Sequence, residues 1–127
     1  MLFRSRNFIS QSVLDAAKPG LILINTARGP IVDIDALYEA LKSGHILAAG
    51  LDVLPDEPAN TDKPLIQAWQ KGEAWIKHRL VITPHSAFFT PQSMFDIRNF
   101  SAATAAKYLR TGRLENCVNT HLLTHRR

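Results

Sequence analysis

Only one cysteine, Cys117, occurs in the 127 residues. That excludes an internal disulfide and a metal site built from cysteines, and it fits a reducing compartment. Apolar runs extend no further than a few residues, so no segment reads as a membrane-spanning helix. The opening MLFRSRN lacks the apolar stretch of a secretory leader. Basic residues form no stripe interleaved with aromatics. The net charge of +4 is mild, and much of the excess sits at the ends, in Arg4, Arg6, Arg126 and Arg127. Nucleic acid and membrane are therefore not expected partners, and a soluble cytoplasmic protein is expected.

What is present is enough for a core. Hydrophobic residues make up 46% and charged residues 20%, outside the disordered range, and the length suits one domain. No internal repeat or low-complexity stretch interrupts it.

The order of elements follows from periodicity and caps. Ser10 is placed to cap a short helix over 11–17, with Ile9 and Leu14 as a hydrophobic staple. LILIN (21–25) is a continuous apolar run, the pattern of a strand covered on both faces. Asp33 caps a helix with Ile34, Leu37, Tyr38 and Leu41 at i, i+3, i+4 and i+7, closed by Gly44. ILAAGLDV (46–53) and LVITP (80–84) read as second and third strands. Strand, helix, strand is the βαβ pattern of a parallel sheet. The link 54–79 is long and partly helical, with Leu65, Ile66, Trp69 and Ile76 as packing positions and both tryptophans in the core. Thr90 caps, and Pro91 begins, a long helix to about Leu109 with Met94, Ile97, Ser101, Ala105 and Tyr108 on one face.

In an open parallel sheet, ligands meet the carboxyl ends of the strands. Here the first strand ends in Asn25-Thr26-Ala27-Arg28, the second in Asp52 followed by Asp56 and Glu57, and the third in His85. Taken singly these have plain explanations: a surface arginine, a loop-capping aspartate, a histidine in a turn. Together at one rim they make a site. An arginine fork grips a carboxylate in two parallel hydrogen bonds. Histidine exchanges a proton near neutrality, and a neighbouring glutamate fixes its ring. That set suits interconversion of a 2-hydroxy acid and a 2-oxo acid, with hydride supplied by a cofactor. Metal-assisted hydrolysis is the weaker reading, because no H-x-x-H or equivalent ligand spacing exists.

INTARGPIVD (24–33), AAGLDVLPDEP (48–58) and VITPHSAFFT (81–90), in this order, closely resemble the D-isomer-specific 2-hydroxyacid dehydrogenases over about Arg6 to Asn119. HSAFF, the two-tryptophan link and ENCVN look most like the branch that includes the C-terminal-binding-protein corepressors. The resemblance implies an α/β fold: part of a Rossmann-type doubly wound parallel sheet plus a long C-terminal helix. Residues 1–90 would be the C-terminal half of an NAD-binding domain, and 91–127 a helix and tail returning to a substrate domain. It also implies roles. Arg28 would bind the substrate carboxylate, His85 would be the general acid and base, and Glu57 its partner. Asp52 would bond the nicotinamide carboxamide, with Thr26, Ala27, Arg28 and His85 also bordering the NAD (or NADP). Phe88 would face the substrate pocket, with ordinary packing as its alternative.

Family members are longer and carry a G-x-G-x-x-G turn for the pyrophosphate. The glycines here (20, 29, 44, 50, 72 and 112) form no such turn. The expectation is a C-terminal fragment that binds dinucleotide weakly, is inactive and marginally stable alone, and associates through the open edge of strand 21–25. Met1 falls in what the family makes mid-domain, which fits truncation; an in-frame glycine turn upstream would restore the enzyme. Three readings stand: an NAD-dependent oxidoreductase acting on a small 2-hydroxy or 2-oxo acid when complemented; a corepressor-like module that senses NAD or holds partners; and an inactive gene product with inherited motifs.

Overall fold

The computed structural model describes residues 5–120. Chain contacts divide it into two compact units, Met1–Ala87 and Phe88–Arg127. Arg4, Arg126 and Arg127 lie outside the described residues.

The first unit runs α1 (Gln11–Asp15), β1 (Leu21–Asn25), a 3-10 turn (Gly29–Ile31), α2 (Ile34–Lys42), β2 (Ile46–Leu51), α3 (Pro64–Lys71) and β3 (Leu80–Ile82). The strands form one all-parallel sheet in the order β1-β2-β3, with Asn25 opposite Leu51 and Leu51 opposite Ile82. Their carboxyl ends therefore share one rim.

α2 forms where its sequence says it should. The Oδ1 of Asp33 accepts from the backbone N–H groups of Asp35 and Ala36, satisfying two of the donors orphaned at a helix start. Ile34, Leu37 and Leu41 are buried against the sheet, and Tyr38 is half-buried, its ring edge-on to Trp75 at 5.6 Å. Gly44, at φ 81°, turns the chain out of the helix at low steric cost. α1 and α3 flank α2, and Leu14, Leu37, Leu41, Ile46, Leu65 and Ile76 make the fully buried centre. Lys63, ahead of α3, pairs with Asp35 of α2 at 2.6 Å. Arg79 ties the unit together by donating to the carbonyls of Leu41, Ile46, Leu47 and Trp75 at 2.7–2.9 Å.

Three expectations need correction. β1 is covered on one face only among the described residues: Ile22 and Ile24 are 57% and 66% exposed. They pair with Ala48 and Gly50, and Gly50 with exposed Val81, so a continuous apolar sheet face points away from the helices. Trp69 is 39% exposed although it follows Leu65 by four positions and Ile66 by three on α3: it shares their face, and its large ring stays partly in solvent. Ser10 precedes α1 without capping it; its hydroxyl pairs with that of Ser12 instead.

The second unit is dominated by α4 (Pro91–Thr111). The Oγ1 of Thr90 accepts from Ser93 N–H at 3.0 Å, Pro91 opens the first turn and Gly112 ends the helix at φ 67°. No residue of α4 is buried. Among the described residues no helix is long and apolar enough to cross a membrane.

Candidate active site

The end of β1 is shaped by Asn25, a polar residue only 6% exposed. Its Oδ1 accepts from Ala27 N–H and its Nδ2 donates to the Arg28 carbonyl, both at 3.0 Å. Its own carbonyl accepts from Asp52 N–H at 3.0 Å, joining the ends of β1 and β2. This Asx-type turn presents Thr26, Ala27 and Arg28 to solvent. The guanidinium of Arg28 donates from Nη1 to the Ala27 carbonyl at 2.7 Å.

Asp52 follows β2 directly and is 5% exposed. A buried carboxylate needs partners, and Asp52 has three. Thr83 Oγ1–H donates to Oδ1 at 2.5 Å, Ser86 N–H to Oδ1 at 2.9 Å, and Ala87 N–H to Oδ2 at 2.9 Å. These bonds, the Thr83 hydroxyl foremost, hold the carboxyl below its ordinary range against the opposing effect of burial. They also grip the turn on either side of His85, whose φ of 54° is left-handed. That conformation costs a non-glycine residue about 1 kcal/mol, which the anchoring offsets.

His85 Nδ1 lies 2.8 Å from Glu57 Oε2. The other carboxylate oxygen, Oε1, accepts from Leu54 N–H at 3.3 Å. The imidazole first, and the Leu54 amide second, hold the Glu57 carboxyl below its ordinary value. The pair lines a cavity of about 310 Å³, walled by Leu54, Pro58, Ala59, Ile82 and Pro84, with Asp52, Glu57, Thr83 and His85 as its polar groups. An apolar hollow with a few convergent polar side chains is the usual form of a small-molecule site.

The structure thus brings Asp52, Glu57 and His85 together, with the Thr26–Arg28 turn on the same rim. Arg28 does not line the cavity itself. Asp56, though adjacent to Glu57, borders a different hollow with Asn60 and Lys63. Phe88 belongs to the second unit, where its ring stands edge-on to Phe89 at 6.2 Å. Two residues central to the geometry, Asn25 and Thr83, were not singled out as site residues from the sequence. The signal for Asn25 was present: an asparagine at a strand end followed by a turn. Thr83 gave none, because its partner is 31 residues away.

Comparison with known proteins gives the context. The family model described as "D-isomer specific 2-hydroxyacid dehydrogenase, NAD binding domain" matches residues 3–87. A glyoxylate/hydroxypyruvate reductase B of Pectobacterium atrosepticum is 36% identical over 119 residues, 94% of this chain and 34% of that protein. A D-3-phosphoglycerate dehydrogenase of Haemophilus influenzae is 34% identical over 115 residues, 91% of this chain and 27% of that one. The chain therefore spans about a quarter to a third of the length of these relatives. Among solved structures, the NAD-complexed D-isomer specific 2-hydroxyacid dehydrogenase of Lactobacillus delbrueckii ssp. bulgaricus is similar with a TM-score of 0.69 and 30% identity, covering 94% of this chain and 38% of that one. With its parallel sheet, its strand-end residues and this match over two thirds of its length, the chain belongs to the D-isomer specific 2-hydroxyacid dehydrogenase family, in the part that makes the NAD binding domain.

Proposed function

We propose that the chain provides the nicotinamide side of a dehydrogenase site at which a small D-2-hydroxy acid and its 2-oxo acid interconvert. The Glu57–His85 pair, lining an apolar cavity, carries this reading. Glu57 holds Nδ1, so Nε2 is the nitrogen that gives a proton to, or takes one from, the substrate's C2 oxygen. The Arg28 fork, on the same rim, takes the substrate carboxylate and adds positive charge beside the polarised carbonyl.

The residues present fit the nicotinamide end of NAD. Thr26 and Ala27 are exposed at the end of β1, and the cavity walls are apolar enough to take a flat ring. Asp52 has one acceptor direction left on Oδ2 for a carboxamide N–H, its other acceptances being spent on Thr83, Ser86 and Ala87. When bound, the nicotinamide supplies or accepts the hydride, which no side chain can do. The pyrophosphate finds no glycine turn in this sequence, so affinity of the chain alone is weak and turnover absent.

NMR titration with NADH tests the site. Shifts are expected at 25–28, 52–57 and 83–87. Shifts confined elsewhere, or none at millimolar NADH, would overturn the reading. Turnover of NADH with any 2-oxo acid by the purified chain would overturn the expectation of inactivity.

A further inference from the structure

We infer that Gly29 is a positioning residue: having no side chain, it lets the backbone after Arg28 dock on the Leu54–Pro55 backbone, and so couples the Arg28 turn to the Glu57–His85 pair. The inference rests on the acid–base reading of that pair and adds a residue to it.

The approach is unusually close. A Cβ built on Gly29 would lie 1.9 Å from both the carbonyl carbon and the oxygen of Leu54, and 2.5 Å from the nitrogen of Pro55. All three obstacles are backbone atoms, so no rotamer change relieves them. Gly29 is buried, and its φ lies outside the left-handed region. The requirement is therefore contact rather than conformational freedom. Both sides of the contact lead straight to the site. On one, Arg28 precedes Gly29, and its carbonyl and that of Gly29 accept from Ile31 and Val32 to close the 3-10 turn. On the other, Leu54 donates its N–H to Glu57 and also lines the cavity.

Gly50 gives a matched control. A Cβ there would meet only the Cδ1 of Ile24, at 2.9 Å, the movable tip of an exposed side chain.

The test follows the Glu57 carboxyl through its titration by ¹³C NMR in the intact chain. Glu57 faces His85 and Asp52, and its low midpoint reports the His85 and Leu54 hydrogen bonds. Gly29→Ala is expected to raise that midpoint toward the ordinary value. Gly50→Ala should leave it unchanged, and adding Leu54→Ala to Gly29→Ala should not restore it, because the collision is with backbone. A folded Gly29→Ala variant with the wild-type midpoint overturns the inference. Should Gly29→Ala not fold, the wild type decides: nuclear Overhauser contacts from the Gly29 α-protons to the Pro55 δ-protons are expected, and their absence overturns it equally. None of these readouts uses NADH or turnover, so a failed dehydrogenase reading is told apart from a failed role for Gly29.

Discussion

The Nδ1 of His85 and the Oε2 of Glu57 meet at 2.8 Å although 28 positions separate them in the chain. The contact selects a tautomer, because a carboxylate can only accept. At pH values where His85 is neutral, its proton is expected on Nδ1. Long-range ¹H–¹⁵N correlation spectra should show that single form, and Glu57→Ala should give a mixture. A wild-type spectrum dominated by the Nε2–H tautomer contradicts the geometry on which the proposed proton transfer depends.

Acid should destabilise the first unit through two carboxylates. Asp52 and Glu57 are both held below their ordinary values of 3.8 and 4.5. Groups with depressed folded values contribute stability above the unfolded ones, and that contribution is lost as pH falls through the folded values. Stability against urea should therefore be level, as far as these groups are concerned, above about pH 5.5. It should drop steadily below the two ordinary values. Asp52→Asn should flatten that acid limb, and an unchanged limb in the variant counts against the burial and bonding of Asp52.

Arg79 is a structural clamp, not part of the rim. Its four bonds to carbonyls of α2, β2 and the Trp75 loop satisfy groups that a methionine of similar length leaves bare. Arg79→Met is expected to cost at least about 2 kcal/mol in urea denaturation, given the worth of a charge-assisted hydrogen bond. Arg79→Lys should recover little, because one ammonium cannot reproduce a planar fork. Full recovery by lysine would show that charge alone matters there.

The two faces of the sheet should respond differently to truncation. Leu37 is fully buried in α2, and its change to alanine is expected to cost about 3 kcal/mol. Ile24, 66% exposed on β1, should cost no more than about 0.5 kcal/mol. A large loss at Ile24 in dilute monomer would mean that the outer face is covered. Ile24→Lys should also weaken any association of the chain with itself at high concentration, read by sedimentation, since an open strand edge with apolar neighbours invites pairing.

Much of the frame was legible. The i, i+3, i+4, i+7 spacing after Asp33 and the Thr90-Pro91 pair gave helices that begin where expected, because caps act within one turn. Short apolar runs gave the three strands, though β2 and β3 each end two residues earlier than the expected 46–53 and 80–84. Other features depended on what lies across space. Ser12 competes for the hydroxyl of Ser10. Trp69 shares a helical face with buried Leu65 and Ile66 yet is 39% exposed, so the right spacing did not guarantee a core position. Asp56 and Glu57 are neighbours in a loop, and the loop sends one toward Lys63 and the other toward His85.

The sequence alone determined which residue types arrive at the rim: a parallel sheet puts all its strand ends on one side, so Arg28, Asp52 and His85 had to share it once three like-directed strands were granted. Tertiary structure decided how they are held. The bonds from Thr83, Ser86 and Ala87 to Asp52 and the backbone contact of Gly29 with Leu54 and Pro55 join segments far apart in the chain. Hydrogen bonds and steric contact act over a few ångströms, and no spacing along the sequence encodes such distances.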